Sequence, residues 1–438
     1  MLSVYLGVAL RFWGSDTEVI NEGLLFGKAL LFSAVMMSSM TFMGLYQRHL
    51  REGVEGVLLR VAASLILGFV SLSIIFYISP DVTFGRGEFA LSSIVALLGL
   101  VSIRLIFIRF VDEDTGSRRI LVLGVGARAM AINKLLRRKT DQRGFKIVGY
   151  VRFPGERANI EQNIIQHDST LLELSEKYQV DEIVVAIEDR RKGFPMHEIV
   201  DCRMSGIEVV DLLTFFERQT GKVMIDILNP SWLVFSDGFK YGALRVYSKR
   251  VFDIAASLVL LLVSFPAIII TIIAIFLEDQ GPILYRQVRV GENWKLFQVL
   301  KFRSMRVDAE SDGQAQWAAK NDNRITRVGD IIRKLRIDEL PQIINVLRGD
   351  MSFVGPRPER PVFVEKLSES IPYYSERHRV KPGITGWAQI CYPYGDSEKD
   401  SYEKLQFDLY YVKNYSLFLD LIILFQTAGA VLWGKGGR

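Results

Sequence analysis

Four runs of this chain are too apolar to be left in water, and the last of them constrains everything that follows. Leu24 to Tyr46, Val57 to Ser79 and Phe89 to Phe110 each come close to the roughly 20 residues that carry a helix across the hydrocarbon core. The fourth, Ile254 to Leu277, is of similar length, with Lys249-Arg250 ahead of it and Glu278-Asp279 behind. Residues 1–13 are apolar but short and lack an A-x-A-like cleavage site, so they read as a truncated or tilted helix rather than a leader peptide.

Loop charges orient the first three runs. Arg48 and Arg51 follow the first, Arg118 and Arg119 follow the third, and Asp16, Glu18 and Glu22 lie on the opposite side. The positive-inside rule then places residues 47–56, and everything after 111, in the cytoplasm. Arg104, inside the third run, reads as a snorkelling residue or one facing a neighbouring helix. If 254–277 also crossed, residues 278–438 would lie outside. That section is dense in phosphate-handling residues suited to cytoplasmic substrates. Pro266 offers a way out: it removes a backbone donor and disfavours helical geometry just before it, and Ser264 carries a hydroxyl that can serve a freed carbonyl. The expectation is a helix–break–helix that enters and leaves on the cytoplasmic face.

Between the two membrane sections the pattern changes. Arg119-Ile-Leu-Val-Leu-Gly124, Lys146 to Val151, Glu182 to Ile187 and Ile207 to Val210 read as buried strands, with helices near 127–139, 168–178 and 196–205. That alternation predicts a Rossmann-like parallel sheet over 118–225. The turn Gly124-Val-Gly126-Ala-Arg-Ala129 could cradle a phosphate. A dinucleotide site also wants an acidic residue after the second strand, where this chain has Arg152-Phe153. A tight strand-to-helix turn without dinucleotide is the better reading; a nucleotide-sugar or other regulatory ligand stays open. Residues 226–247, with Pro230, Gly238 and Gly242, read as a linker.

The composition narrows the class. The mean hydropathy is +0.20, high for a soluble protein, yet charged residues make up 24% of the chain, so only part of it belongs in lipid. A formal charge of +5 suits anionic lipid or phosphates and is too small to argue for nucleic acid. Cys202 and Cys391 stand far apart, without metal-ligand spacing, which predicts neither a disulfide nor a zinc site.

The chemistry concentrates in 281–413. Basic residues gather at Arg286, Arg289, Lys295, Lys301, Arg303 and Arg306. They are followed by Asn323-Arg324-Ile-Thr326, Leu335-Arg336-Ile-Asp338-Glu339-Leu-Pro341-Gln342, Gly355-Pro-Arg357-Pro358, Lys381-Pro-Gly383-Ile-Thr-Gly386-Trp-Ala-Gln389 and Phe407-Asp408-Leu-Tyr410. Asp338 can cap a helix that runs to about Arg348 and stops at Gly349, with Pro341 in its first turn. Two carboxylates there would sit in the positive field of the helix terminus, which lowers their pKa. With Mg²⁺ and a diphosphate nearby, one of them could attack phosphorus. An ordinary capping pair is the bland reading of Asp-Glu alone. Ser416 to Trp433 is apolar but holds Asp420 and Gln426, which suits a helix on the membrane surface better than one across it.

Taken together, the motifs resemble the bacterial sugar transferase family, the monotopic polyprenyl-phosphate phosphoglycosyl transferases, over about residues 247–438. The preceding membrane helices and Rossmann-like domain resemble the long form of that family. Trp317, Gly355 to Pro361, Ile371-Pro-Tyr-Tyr374 and Gly434 to Arg438 look closest to the exopolysaccharide-linked subgroup. The resemblance implies transfer of hexose 1-phosphate from a UDP-hexose, glucose or galactose, to undecaprenyl phosphate at the bacterial cytoplasmic membrane, releasing UMP and starting a surface glycan. It implies Asp338 as the nucleophile that forms a phosphosugar–aspartyl intermediate. It implies Asp338 and Glu339 as the residues working with Mg²⁺, and Lys301, Arg303, Arg324, Gln342, Arg357 and Asp408 as substrate contacts, the duty of Asp408 left unassigned. Two positions depart from the family pattern: Phe265, where a serine commonly precedes the proline, and Asn323, where a proline is common.

The expected architecture is thus membrane α plus α/β: transmembrane helices over 1–111, a Rossmann-like domain over 118–225, a linker over 226–247, and an α-rich catalytic domain over 248–438 with its re-entrant helix at 254–277. The oligomeric state is open, a homo-oligomer included. Two other readings compete. A membrane nucleotide-sugar dehydratase or epimerase would need a second Gly-rich turn and a Tyr-x-x-x-Lys pair, and no such pair occurs. A silent scaffold of a glycan assembly complex would not need the Asp338-Glu339 pair and its basic surroundings.

Overall fold

In a computed structural model the chain forms two compact units, Met1–Phe215 and Phe216–Arg438. The structure describes all residues except 14–21, 44, 46–53, 81–82, 111–116, 137–143, 154–155, 157, 161–162, 189–193, 237, 240–241, 308–323, 393–394, 396 and 433–438. Most of the loop charges used for orientation, Trp317, Asn323 and the Gly434–Arg438 ending therefore lie outside the described residues, as does the side chain of Arg104.

The first unit opens with α1 (Leu2–Arg11), α2 (Glu22–Phe42), α3 (Val54–Ile78) and α4 (Arg86–Phe110). The short apolar start is a helix in its own right, packed on α4 with Val4 and Val8 buried. Phe32, Phe69, Phe76, Phe84 and Phe89 cluster at centroid separations of 5.6–6.4 Å, most pairs edge to face as the ring quadrupole favours and Phe76–Phe84 tilted. Among the described residues, three stretches are long and apolar enough to cross a membrane: Arg60–Ile78, Arg86–Ile103 and Ala243–Asp279.

The α/β part holds β1 (Arg118–Leu123), α5 (Ala127–Leu135), β2 (Phe145–Val151), β3 (Ile164–Ile165), α6 (Leu171–Lys177), β4 (Glu182–Val185), α7 (Met196–Met204) and β5 (Glu208–Asp211). The strands pair in parallel in the order β3-β2-β1-β4-β5. Their continuous apolar runs are buried because helices cover a parallel sheet. The two-residue β3 went unread in the sequence. The Gly-rich turn after β1 carries its own anions: Val125 N–H donates to Glu156 Oε2 (3.0 Å), and the N–H groups of Ala127 and Arg128 donate to Glu188 Oε1 (2.6 and 3.3 Å). A Cβ on Gly126 would lie 2.8 Å from Glu188 Oε1, so the carboxylate sits close over the turn.

The second unit takes up the chain within α8 (Leu212–Thr220), and α9 (Pro230–Phe235) follows. The stretch read as a linker is packed down: Phe239 N–H donates to Lys413 O, and the Lys413 ammonium lies 4.0 Å from the Trp232 ring centroid. Next comes α10 (Ala243–Asp279), with Pro266 inside it. Here the expected break is corrected: the helix runs unbroken. Ser264 donates to Leu260 O (2.6 Å), one turn away along its own ladder, rather than to the carbonyl of Leu262 that Pro266 frees. One stripe of α10 is buried along its length, at Asp253, Ser257, Ser264, Thr271 and Ile275, while Leu262 and Val263 on the other side are 79% and 72% exposed.

The rest of the unit comprises β6 (Leu284–Val290), β7 (Leu296–Phe302), α11 (Arg327–Lys334), α12 (Gln342–Arg348), β8 (Ser352–Val354), α13 (Pro361–Ser370), β9 (Gly383–Thr385), α14 (Trp387–Cys391), α15 (Glu398–Asn414) and α16 (Leu417–Leu432). The first turns of α10 are bolted to this body. Arg250 donates to the carbonyls of Val346 and Leu347, which end α12, and Asp253 Oδ1 accepts from Ser352 Oγ and Phe353 N–H. Its last turns are held as well: Ile275 packs with Phe302 and Ile332, and Glu278 accepts from the N–H groups that open α11. Asp420 is fully buried and ion-paired with Lys249 (2.6 Å), so this carboxylate fastens α16 to α10 and does not face lipid.

Candidate active site

Asp338 and Glu339 lie in a single 3-10 turn, Ile337–Glu339, between α11 and α12. Arg336 starts that turn at φ +58, left-handed backbone that swings the pair off the axis of α11. The expected helix start is corrected: α12 begins at Gln342 with Pro341 at its N-cap, so Asp338 does not cap it. The stop at Gly349, with φ +93, is where the sequence placed it.

Glu339 is buried under three cations. Its Oε1 accepts from Lys301 Nζ at the end of β7 (2.9 Å) and from Arg357 Nη2 (3.1 Å), and Arg336 Nη1 stands 3.8 Å from Oε2. Burial would raise its pKa, but Lys301, Arg357 and Arg336 outweigh burial and hold the carboxyl far below the usual range. Asp338 goes the other way, against the sequence expectation that both acids are lowered. Burial and the adjacent Glu339 charge raise it, and Lys301, Arg333 and Arg336 oppose the rise only in part. Its Oδ1 is buried without a hydrogen-bond partner. Lys301 is lowered by burial, partly countered by Glu339. The pair is therefore split: salt bridges outweigh burial at Glu339, while at Asp338 burial and the neighbouring charge prevail and Oδ1 is left bare.

Arg357 reaches Glu339 from a turn built by close backbone contact. β8 and β9 pair in parallel, and Gly355 and Gly383 meet so tightly that a Cβ on Gly383 would lie 2.1 Å from Gly355 N. Glycine is thus required where Gly-Pro-Arg-Pro crosses Lys-Pro-Gly. The remaining candidates spread outward. Gln342 is buried at the start of α12. Arg303 is buried on Asp279 at the end of α10 (3.2 Å), with Nη1 unpartnered. The carbonyl of Arg324 accepts from Arg306 N–H beside the Met305–Ile325 bridge. Asp408, on α15, is buried against Arg377 (2.8 Å) and touches none of the other candidates.

Arg377 was missed in the sequence, where Arg377-His378-Arg379 passes for a basic surface run. Its guanidinium is buried and donates to Tyr374 Oη (2.6 Å) and to the carbonyl of Arg357 (3.0 Å). Among the described residues no group of three or more His, Cys, Asp or Glu could hold a metal. Magnesium commonly takes one or two carboxylates and completes its shell with water and substrate phosphates, so the bare Asp338 oxygen fits it. Glu339 Oε1, already shared by two cations, fits less well.

A mixed membrane and α/β chain thus gathers Lys301, Arg336 and Arg357 around an Asp-Glu pair whose glutamate is buried. Residues 244–434 match the family model for the bacterial sugar transferases. The chain is 31% identical over 368 residues to the UDP-glucose:undecaprenyl-phosphate glucose-1-phosphate transferase of Xanthomonas campestris pv. campestris, covering 80% of this chain and 75% of that one. It is 43% identical over 237 residues to the UDP-N-acetylgalactosamine-undecaprenyl-phosphate N-acetylgalactosaminephosphotransferase of Aeromonas hydrophila, covering 54% of this chain. It spans only 55% of that relative's length. An exopolysaccharide production protein of Rhizobium leguminosarum bv. phaseoli is 43% identical over 198 residues, 43% of this chain and 97% of that one. The chain belongs to the bacterial sugar transferase family.

Proposed function

We propose that the protein transfers a sugar 1-phosphate from a UDP-sugar to undecaprenyl phosphate on the cytoplasmic face of a bacterial inner membrane, as the first step of a surface or exopolysaccharide. The observation that carries this reading is the split Asp-Glu pair. Asp338 is half-buried with an unpartnered Oδ1, while Glu339 anchors Lys301 and Arg357 at its flank.

The Asp338 carboxylate forms a bond to the phosphorus that carries the sugar. The bond from that phosphorus to the bridging oxygen breaks, and UMP leaves with the electron pair. An oxygen of undecaprenyl phosphate then attacks the same phosphorus, giving the lipid-linked diphosphate sugar and freeing Asp338. Lys301 and Arg357, held by Glu339, present cationic donors to the diphosphate oxygens, and arginine does so in bidentate fashion. Mg²⁺, held through Asp338, would neutralise charge on the diphosphate. Arg303, Arg324 and Gln342 line the approach in this reading. The relatives' names divide between glucose and N-acetylgalactosamine; the donor class extends to both, wider than the glucose or galactose expected from the sequence.

Placement of α10 on one face of the membrane, rather than across it, is supported by its attachment. Asp253 and Ile275 are separated by about 33 Å of helix at 1.5 Å per residue, close to the hydrocarbon thickness, yet both are fixed to the same compact unit. A helix fixed at both ends to one body dips its exposed apolar side into one leaflet and does not cross.

The test is UMP release from purified protein with undecaprenyl phosphate, Mg²⁺ and a panel of UDP-sugars. UMP with one or two donors supports the reading. UDP as product would mean glycosyl transfer, and no nucleotide product from any donor would favour the scaffold.

A further inference from the structure

Arg377 contacts neither acid of the Asp-Glu pair, yet it holds a carbonyl of the turn that delivers Arg357 to Glu339. Its side chain is 7% exposed and forms a three-way clamp: Nη2 on Asp408 Oδ2 (2.8 Å) and on the carbonyl of Arg357 (3.0 Å), and Nη1 on Tyr374 Oη (2.6 Å). The same turn is gripped from the other side, where Arg289 Nη1 donates to the carbonyl of Pro358 (3.1 Å). Adjacent carbonyls of Gly-Pro-Arg-Pro are therefore each held by an arginine, and between them the Arg357 side chain leaves the turn toward Glu339. A rigid turn fixes where the Arg357 guanidinium stands; a loose one lets it swing into water, since its side chain is 33% exposed.

We infer that Arg377, held by Asp408 and Tyr374, is a positioning residue that acts on the transferase reaction through Arg357. This rests on the function proposed above. It also gives Asp408 a duty: it neutralises and orients Arg377 and touches no substrate. The alternative is that Asp408 and Arg377 only hold the fold together. The two differ in one respect, because a positioning residue loses its effect once the residue it positions is gone.

The experiment is a double-mutant cycle on UMP release, with Arg377→Gln, Arg357→Ala and the double variant, and Tyr374→Phe as a milder second route to the same clamp. Thermal melting is followed alongside. Arg377→Gln should lower kcat by about tenfold or more, in line with loss of a charge-assisted contact at Arg357, with a smaller change in donor KM. In the Arg357→Ala background the same change should cost less than about twofold. Tyr374→Phe should show the same pattern at smaller amplitude with its melting temperature retained. Losses that multiply independently, with either clamp variant, overturn the inference while leaving the transferase reading intact. Wild-type protein that releases no UMP overturns both. If Arg377→Gln does not fold, the cycle with Tyr374→Phe decides.

Discussion

Arg357 Nη2 donates to Glu339 Oε1 at 3.1 Å, tying the Gly-Pro-Arg-Pro turn to the Asp-Glu pair. The same oxygen holds Lys301, so Glu339 is the hub on which both cations depend. Glu339→Gln should therefore behave worse than its near-isosteric shape suggests. It leaves two partly buried cations without their counter-charge, a change worth about 3 kcal/mol when a buried pair is broken. UMP release should fall by at least about tenfold with a measurable drop in melting temperature. An active enzyme of unchanged melting temperature would show that Glu339 is not the hub.

His378 supplies a pH signature of folding. It is buried against Trp294 at a centroid distance of 5.1 Å, and burial and then the Arg377 charge lower its pKa to about 3. The folded state therefore refuses a proton that the unfolded chain accepts below about pH 6.5. The sign follows: this contribution is fully present above pH 6.5 and is lost as pH falls, reaching about 3 kcal/mol near pH 4.5. His378→Asn should flatten the acid side of the stability–pH curve by up to one proton. An unchanged slope would mean that His378 titrates normally in the folded protein.

The Lys249–Asp420 pair joins α10 to α16 where Asp420 is wholly buried and Tyr411 Oη lies 2.7 Å from its Oδ1. Asp420→Ala strands a buried ammonium and should cost about 3–5 kcal/mol. Lys249→Met with Asp420→Leu removes both charges and should recover most of that loss. Chemical denaturation in detergent checks the order, and a double variant as unstable as the single one contradicts it.

In the α/β sheet, Glu188 takes the amides of Ala127 and Arg128 at the start of α5. Glu188→Ala should destabilise the protein by about 1 kcal/mol, the usual worth of a helix cap, with UMP release unchanged. Calorimetric titration of the wild-type protein with NAD⁺ should show no binding at this turn, and saturable binding would refute the self-capped reading.

What could be read from the sequence was what repeats or what is local. Three of the four apolar runs near membrane length, the strand–helix alternation of 118–225 and the Gly349 stop came from composition, periodicity or a single residue's conformational freedom, whereas the described apolar helix of the first run, Leu25–Thr41, is shorter than a span. Burial and long-range pairing were not local. Burial pushes both carboxyls up, but Glu339 falls because it collects Lys301 and Arg357, 38 and 18 residues away in sequence, whereas at Asp338 burial and the Glu339 charge prevail. Arg377 looked like surface charge because its partner Asp408 lies on another helix. Pro266 argued for a break because proline removes a donor, but the packed stripe from Asp253 to Ile275 holds α10 continuous across it. Asp420 looked like a membrane-surface residue because its partner Lys249 is 171 positions away.

In the proposed reaction Asp338 carries the sugar phosphate between donor and lipid. Its most direct test is the intact mass of the protein after incubation with Mg²⁺ and the active UDP-sugar, with undecaprenyl phosphate left out. Up to one UMP should be released per enzyme, together with a mass increase of one sugar phosphate that maps to the peptide containing Asp338. Asp338→Asn should abolish both, and added undecaprenyl phosphate should remove the adduct from wild type. UMP released only when the lipid is present, with no adduct at any time, would mean direct transfer from donor to lipid and no aspartyl intermediate.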